Sequence, residues 1–137
     1  MRTNLTVTDL GDLVDQPLVA VLATYRQDGN VLLSPVWHEW RNGGFNVVTS
    51  HDDIKARHLR RDPRVSLVVF EHVRPYRGIE LRTLARFLPA EAPAALRRIA
   101  VRYLGEAEGD AYAAGGADDL LIRLEPGELR VWDFADG

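Results

Sequence analysis

The sequence predicts a mainly β domain of the α+β class, a small barrel of six or seven strands with a few short helices. Apolar, β-rich runs of strand length recur along the chain, and most are joined by short turn sequences rich in glycine, asparagine and aspartate. The 137 residues contain no internal repeat, low-complexity stretch or linker. A single domain over residues 1–137 is therefore expected.

The first half of the chain alternates predicted strands with hairpin turns. The elements expected there are a helix at about residues 6–16 and strands at residues 18–25, 31–40 and 45–49. Residues 18–25 are continuously apolar, which predicts a strand buried on both faces. Asp28-Gly29 is a tight-turn signal between the first two strands. Proline cannot donate to a sheet ladder, so the second strand should lie at an edge, or bulge or bend, at Ser34-Pro35.

The second half mixes helices and strands. The expected elements are a basic helix at 52–62, strands at 64–71 and 78–88, a helix at 90–104, and closing strands at 120–124 and 129–134. Pro63 ends the first of these helices, because the residue before a proline avoids the helical region. Gly105 lies just beyond the second helix, where a glycine cap is common.

Composition narrows the classes of function. The net charge of −3 gives no reason to expect nucleic acid as a partner, because phosphate backbones bind basic surfaces. There is no cysteine, no apolar run near the ~20 residues of a membrane helix, and no apolar segment typical of a signal peptide. A cytoplasmic protein is therefore expected. Lys55 is the single lysine among seventeen basic residues, and it lies one turn into the basic helix.

Four segments resemble a known family when taken in order and at their spacing: residues 21–24, 28–29, 33–37 and 55–65. The chain is similar to the flavin/deazaflavin oxidoreductases of the pyridoxamine 5′-phosphate oxidase-like (PPOX) class. The similarity is greatest to the short actinobacterial branch that uses the deazaflavin coenzyme F-420. This resemblance implies an FMN-binding split barrel that forms a homodimer, with a cofactor site at the subunit interface.

The resemblance also implies roles for individual residues. Next to the flavin or deazaflavin ring it places Ser34, Pro35, Val36 and Trp37. Around the phosphate it places Thr49, Ser50, Lys55 and Arg57. In a loop that approaches the ring from the partner subunit it places Tyr76 and Arg77.

Physical chemistry supports the phosphate site in part. A helix that starts after a strand offers free N–H groups to an anion, and Lys55 adds a positive charge one turn later. Relatives usually carry arginine just before this lysine, whereas this chain has Asp52-Asp53. Two acids stabilise the helix start but repel a phosphate bound there. The basic patch of Arg57, Arg60 and Arg61 would suit the oligoglutamate tail of coenzyme F-420 better than it would suit FMN.

Three functions remain open at this stage. The first is a two-electron oxidoreductase that uses coenzyme F-420 or FMN and a small conjugated acceptor; its catalytic residues are not identified, and His38, Tyr76 and Arg77 are candidates for proton delivery. The second is a non-catalytic dimer that sequesters a flavin, haem or similar planar anion, and the third is an interaction protein without a ligand. No metal site is expected, because His51, Asp52 and Asp53 are adjacent and cannot readily turn to one ion. No nucleophile motif is present either.

Overall fold

A computed structural model describes residues 5–115 and 118–135 of the chain. The strands are β1 (Ala20–Tyr25), β2 (Val31–Val36), β3 (Glu39–Arg41), β4 (Gly44–Ser50), β5 (Arg64–Phe70), β6 (Gly78–Phe87), β7 (Asp119–Leu124) and β8 (Glu128–Trp132). The α-helices are α1 (Ile54–Arg61), α2 (Ala92–Leu104) and α3 (Glu106–Ala114). Short 3-10 helices span Val7–Leu10, Leu13–Asp15 and Pro89–Glu91.

All strand pairs are antiparallel, and the sheet order is β2-β1-β5-β6-β7-β4-β3, with β8 added beside β6. The strands β2 and β3 lie at opposite ends of this order, yet only Trp37 and His38 separate them in the chain. The sheet must therefore curl until its two edges meet, which produces a barrel with a seam at Trp37-His38. The predicted α+β split barrel is confirmed.

The barrel interior is filled by alternating residues of each strand. In β1 the buried residues are Ala20, Leu22 and Thr24, as the two-residue period of a strand requires. They join one apolar core with residues from the other strands and the N-terminal 3-10 helices, including Leu10, Leu13, Phe45, Val47, Leu67, Ile79, Leu81, Ile122 and Leu124.

The opposite side of β2, β1 and β5 is an apolar surface, called here the outer sheet face. The register places Val21 directly beside Pro35 and Val68, so these three residues share that face. The apolar residues of the outer sheet face are Val21, Ala23, Val31, Leu33, Pro35, Val68 and Phe70, and the same register adds Tyr25 and Ser66. Leu33 is 65% exposed and Phe70 is 45% exposed. The prediction that β1 is buried on both faces is therefore wrong for the single chain, because nothing within the described residues covers this side completely.

Three other predictions change in detail. The N-terminal helix is two separate 3-10 turns, since Gly11 adopts a φ of 61° between them. The second predicted strand is divided into β2 and β3 at Trp37-His38, and β2 runs through Pro35 as an edge strand. The described residues also contain eight strands instead of six or seven, and a helix, α3, that was not predicted.

The helices α2 and α3 pack closely because Gly109 has no side chain. A Cβ atom on Gly109 would lie 2.5 Å from the backbone N of Val101, so only glycine allows this approach. An ion pair of 2.7 Å between Arg97 and Asp110 also joins the two helices. Within the described residues, no helix is long and apolar enough to cross a membrane.

Candidate functional site

An open groove lies at the barrel seam, where the start of α1 and the side of α3 approach the ends of β2 and β4. Its volume is about 350 Å³, within the range of about 300–1,000 Å³ that small-molecule sites occupy. We call it the groove, and it is lined by Val19, Pro35, Val36, Trp37, Val48, Thr49, Lys55 and Tyr112. One wall is apolar and aromatic, and a lysine lies at the other end.

Five of the residues implied by the family resemblance line the groove: Pro35, Val36, Trp37, Thr49 and Lys55. They come from three separate segments of the chain. The curl of the sheet brings the end of β2 beside the end of β4, and three residues then separate β4 from α1. Local sequence and topology therefore combine to form this site.

Two further predicted residues lie close to the groove without lining it. Ser34 of β2 lies opposite Leu22 of β1, so it belongs to the side of β2 that faces the barrel interior, as does Val36 two residues later. Ser50 ends β4 and lines an adjoining cavity of about 460 Å³, called here the second cavity. The second cavity is lined by Val48, Thr49, Ser50, Asp53, Leu96, Tyr112, Gly115 and Asp119.

Three predicted residues lie elsewhere in the single chain. Arg57 is exposed on α1 and is not part of the groove lining. Tyr76 is exposed at the tip of the β5–β6 loop, with a φ of 56°. Arg77 is held by Glu71 at 2.8 Å and by the carbonyl oxygen of Leu10 at 2.6 Å. Their predicted contacts with a cofactor or across a dimer stay predictions.

The ion pair between Arg77 and Glu71 stabilises the fold of the single chain. Hydrogen bonds from the Arg77 guanidinium lower the pKa of Glu71 and outweigh the effect of burial, which raises it. The same pairing raises the pKa of Arg77. The Arg77 guanidinium is permanently charged and hydrogen-bonded to both Glu71 and Leu10, so it attaches the β5–β6 loop to the N-terminal segment. It is therefore a poor candidate for proton delivery.

Lys55 is paired with a carboxylate of its own helix. Its Nζ lies 3.1 Å from an Asp53 carboxylate oxygen, and the two side chains are 15% and 32% exposed. Asp53 is also the N-cap of α1, where its carboxylate accepts a hydrogen bond from the Lys55 backbone N–H at 3.1 Å. Burial raises the pKa of Asp53, but hydrogen bonds from Lys55 and Thr49, together with the Lys55 charge, hold that pKa below its usual value.

The second predicted acid has a different position. The side chain of Asp52 is 98% exposed, and its nearest ion-pair partner is His51 at 3.6 Å. Of the two aspartates, Asp53 alone therefore lies where it opposes an anion at Lys55.

Trp37 forms the aromatic wall of the groove and is held between two tyrosines. Its ring stacks on Tyr103 of α2 at 4.9 Å with an interplanar angle of 7°, and it meets Tyr112 of α3 at 5.5 Å and 49°. Such ring pairs contribute about 0.5–1.5 kcal/mol each beyond the area that they bury. Trp40, by contrast, packs on Phe45 at the core.

Tyr103 is fixed in turn by the seam. Its hydroxyl donates to the Leu18 carbonyl at 2.6 Å and accepts from the His38 backbone N–H at 3.1 Å. Because the hydroxyl hydrogen is used by Leu18, the His38 Nδ1 at 3.1 Å must carry a hydrogen and donate as well. Trp37 is thus anchored through Tyr103 to both sides of the seam.

His38 is fully buried and cannot deliver a proton to a ligand. Burial and the nearby Arg102 charge lower its pKa from 6.5 to about 4. Its Nε2 has no hydrogen-bond partner within the described residues. His38 therefore acts as a neutral, structural histidine that supports Tyr103.

The basic patch on α1 does not contribute to the groove lining, and two of its arginines donate hydrogen bonds to backbone carbonyls. Arg60 donates to the His51 carbonyl and lies over the Phe87 ring, and Arg61 donates to the Tyr25 carbonyl. These contacts use the patch to attach α1 to the barrel. Within residues 5–115 and 118–135, no three metal-binding side chains gather in one place.

Three residues of the groove were missed by sequence reasoning: Val19, Val48 and Tyr112. Val19 and Val48 resemble the other strand valines, so no sequence signal separates them. Tyr112 stands alone in an alanine-rich segment, and a lone aromatic residue there is the one signal that the sequence offers.

The pyridoxamine 5′-phosphate oxidase family model matches residues 9–133. The fold and the sequence therefore agree, and the chain belongs to that family. A search of the curated proteins finds no match.

Solved structures resemble the whole chain. The conserved hypothetical protein Rv2991 from Mycobacterium tuberculosis is 26% identical with a TM-score of 0.79, over 96% of this chain and 87% of that one. An F420 reductase is 26% identical with a TM-score of 0.71, over 86% and 93%. The haem storage protein HutZ from Vibrio cholerae shares the fold at 20% identity and a TM-score of 0.70, over 91% and 93%.

Proposed function

We propose that the chain is an oxidoreductase that binds FMN or the deazaflavin coenzyme F-420 in the groove and acts on a small conjugated acceptor. The observation that carries this proposal is the pairing of an apolar, aromatic wall with a single, largely buried lysine in one groove at the barrel seam. Flavin-type cofactors have a matching division into a planar ring and a phosphate-bearing chain. Family membership and the similarity to an F420 reductase favour the same class of ligand.

The residues present fit such a group. Trp37, Pro35 and Val36 would lie against the ring, and Lys55 with the Thr49 hydroxyl would hold the phosphate. When bound, a flavin or deazaflavin supplies transfer of two electrons as a hydride equivalent. The chain's own residues bind and orient the cofactor, and Tyr103 keeps Trp37 in place. No groove residue is required as an acid or base.

A titration tests the proposal. Purified protein is titrated with FMN, coenzyme F-420 and riboflavin, which lacks the phosphate, and binding is followed by tryptophan quenching. We expect Lys55→Ala to weaken the two phosphate-bearing ligands at least tenfold, because a charged hydrogen bond contributes about 1.5–3 kcal/mol. Riboflavin affinity should change less than twofold. Arg82→Ala, at an exposed arginine outside the groove lining, is the control and should leave all three affinities within twofold.

Two results would contradict the proposal. One is the absence of FMN and F-420 binding below ~100 µM, which corresponds to about −5.5 kcal/mol. The other is a Lys55→Ala variant that keeps the affinity of the wild-type protein.

A second candidate function is a non-catalytic module that sequesters a planar anionic ligand. The Asp53–Lys55 pair favours it, because a neutralised lysine holds a phosphate less strongly. Turnover distinguishes the two candidates: the reduced cofactor is mixed with menadione, a conjugated quinone, with and without protein. Bound cofactor that is oxidised no faster than free cofactor would support the module and reject the oxidoreductase.

We further propose a homodimer that forms through the outer sheet face, so that the partner subunit lies beside the groove. Pro35 belongs to both the outer sheet face and the groove lining, so a copy packed on that face would reach the site. Leu33→Glu should yield monomers in sedimentation velocity, because a charge on an apolar interface remains unpaired. Leu129→Glu, at a residue of β8 that is 38% exposed and lies outside the outer sheet face and the β5–β6 loop, is the control and should remain dimeric. A wild-type monomer at ligand-binding concentration would reject this dimer.

A further inference from the structure

The groove and the second cavity adjoin, and they share three lining residues: Val48, Thr49 and Tyr112. Thr49 is buried at 7% exposure and Val48 is half-buried, and both belong to β4. Tyr112 is 55% exposed and projects from α3. A ligand that extends from one space into the other therefore meets the Tyr112 side chain.

Tyr112 is held in this position by its own helix. Gly109 sets the close approach of α3 to α2, and Asp110 pairs with Arg97 at 2.7 Å. The ring rests against Trp37 at 5.5 Å. Because α3 is attached to α2 one turn before the tyrosine and the ring contacts Trp37, the side chain has a defined place at the boundary between the two spaces.

The two spaces also differ in charge. The groove contains Lys55, whereas the polar side chains of the second cavity are Thr49, Ser50, Asp53 and Asp119. An anionic chain that continues beyond a phosphate at Lys55 would thus enter a space with two carboxylates. Asp53 is already paired with Lys55, so beyond the groove such a chain meets the Asp119 carboxylate and no further cation among the described residues that line the second cavity.

We infer that Tyr112 is a specificity-determining residue, which keeps anionic extensions of a ligand bound in the groove out of the second cavity and so favours ligands that end at their phosphate. The inference depends on the proposed function in one respect, that the groove takes a flavin-type ring. FMN ends at its phosphate and is the preferred class of ligand. The adenylate half of FAD and the oligoglutamate tail of coenzyme F-420 are both anionic extensions, and they are disfavoured in the second cavity.

The test compares FMN with FAD by isothermal titration calorimetry, in wild type, Tyr112→Ala and Tyr112→Phe. We expect wild type to bind FMN at least tenfold more tightly than FAD. Tyr112→Ala removes the ring between the two spaces, and the ratio should fall below threefold. Tyr112→Phe keeps the ring and should stay within twofold of the wild-type ratio. Circular dichroism checks that α3 persists in each variant.

A second measurement, which uses dyes in place of flavins, separates this inference from the proposed function. The dyes 8-anilinonaphthalene-1-sulfonate and its covalent dimer, bis-ANS, are anionic aromatic probes of two lengths. Tyr112→Ala should increase the relative affinity for the longer dye at least threefold, and Tyr112→Phe should not. If no flavin binds wild type but the dye ratio shifts in this way, the proposed function fails and the role of Tyr112 stands.

Three outcomes overturn the inference. The first is FAD binding to wild type as tightly as FMN. The second is an FMN-to-FAD ratio that Tyr112→Ala leaves unchanged. The third applies where no flavin binds, and it is a dye ratio that is the same in wild type and Tyr112→Ala.

Discussion

Replacing Asp53 by asparagine should strengthen the binding of phosphate-bearing ligands. Asp53 places a carboxylate oxygen 3.1 Å from the Lys55 ammonium, and a phosphate would approach the same ammonium at a similar distance. Asparagine removes the negative charge but remains a good N-cap, so α1 should keep its start. The substitution therefore changes charge at the groove with little effect on the fold.

The size of the effect follows from the distances. Two anions on either side of one ammonium would lie roughly 5 Å apart, which gives a repulsion of about 0.8–3 kcal/mol for effective dielectric constants of about 80 to 20. Lys55 and Asp53 are 15% and 32% exposed, so solvent screening favours the lower part of that range. We expect about 1.4 kcal/mol, a tenfold gain in FMN affinity.

The assay is an FMN titration at low and at moderate salt, with riboflavin as the ligand that lacks phosphate. Asp52→Asn is the matched control, because its side chain is 98% exposed, and it should change FMN affinity by less than twofold. In a Lys55→Ala background the Asp53→Asn gain should become smaller, since the two charges act through one site. The electrostatic account is refuted if Asp53→Asn leaves FMN affinity unchanged, or if it strengthens riboflavin to the same degree.

Two further predictions concern stability. Gly109→Ala should destabilise the protein by about 1–3 kcal/mol in urea unfolding and reduce its helical circular dichroism, because a Cβ there would lie 2.5 Å from the Val101 backbone. Gly115→Ala, whose Cβ would meet its nearest atom at 3.6 Å, should behave like wild type, and equal stabilities for the two variants would reject a close helix contact. His38 has a pKa of about 4 when folded, below its usual 6.5, so it stabilises the fold above pH 6.5 and loses this contribution as the pH falls toward 4. His38→Gln should reduce the change in unfolding free energy between pH 6.5 and pH 4 by up to about 3 kcal/mol. His72→Asn, at an exposed histidine, is the control and should keep the wild-type pH dependence. A wild-type pH dependence in His38→Gln would contradict the buried neutral histidine.

The barrel was predictable from the sequence because its signals are local. Turn residues such as Asp28-Gly29 and apolar, β-rich runs of strand length define the strands one at a time, and Pro63 marks the end of α1. The helix α3 was not predicted, because the segment 106–114 has no apolar stripe and depends on contact with α2 through Gly109. A close approach between two helices leaves no periodic pattern in either one.

The candidate site was predictable at the residues that the family pattern covers. The hydrogen-bond partners of its long polar side chains were less predictable. The lining residues Pro35, Trp37 and Lys55 follow from the resemblance and the strand ends. The bond from Arg61 to the Tyr25 carbonyl does not follow, because any exposed arginine on α1 has several carbonyls within reach. The expectation that the basic patch would hold an oligoglutamate tail stays a prediction, since Arg60 and Arg61 also attach α1 while all three arginines of the patch remain exposed.

The seam links these observations into one account of ligand choice. At the seam, His38 and Tyr103 fix the plane of Trp37, and α3 adds Tyr112 at its edge. One wall of the groove is thus rigid and aromatic, whereas the charged end is a balance between Lys55 and Asp53 that one substitution can shift. In the proposed complex the aromatic wall contacts the ring and the Lys55–Asp53 pair contacts the phosphate, so these two parts of the site act separately. Riboflavin affinity should therefore report on the Tyr103–Trp37 wall alone. The difference between FMN and riboflavin should then report on the Lys55–Asp53 balance, so variants of the two parts should have additive effects on FMN binding.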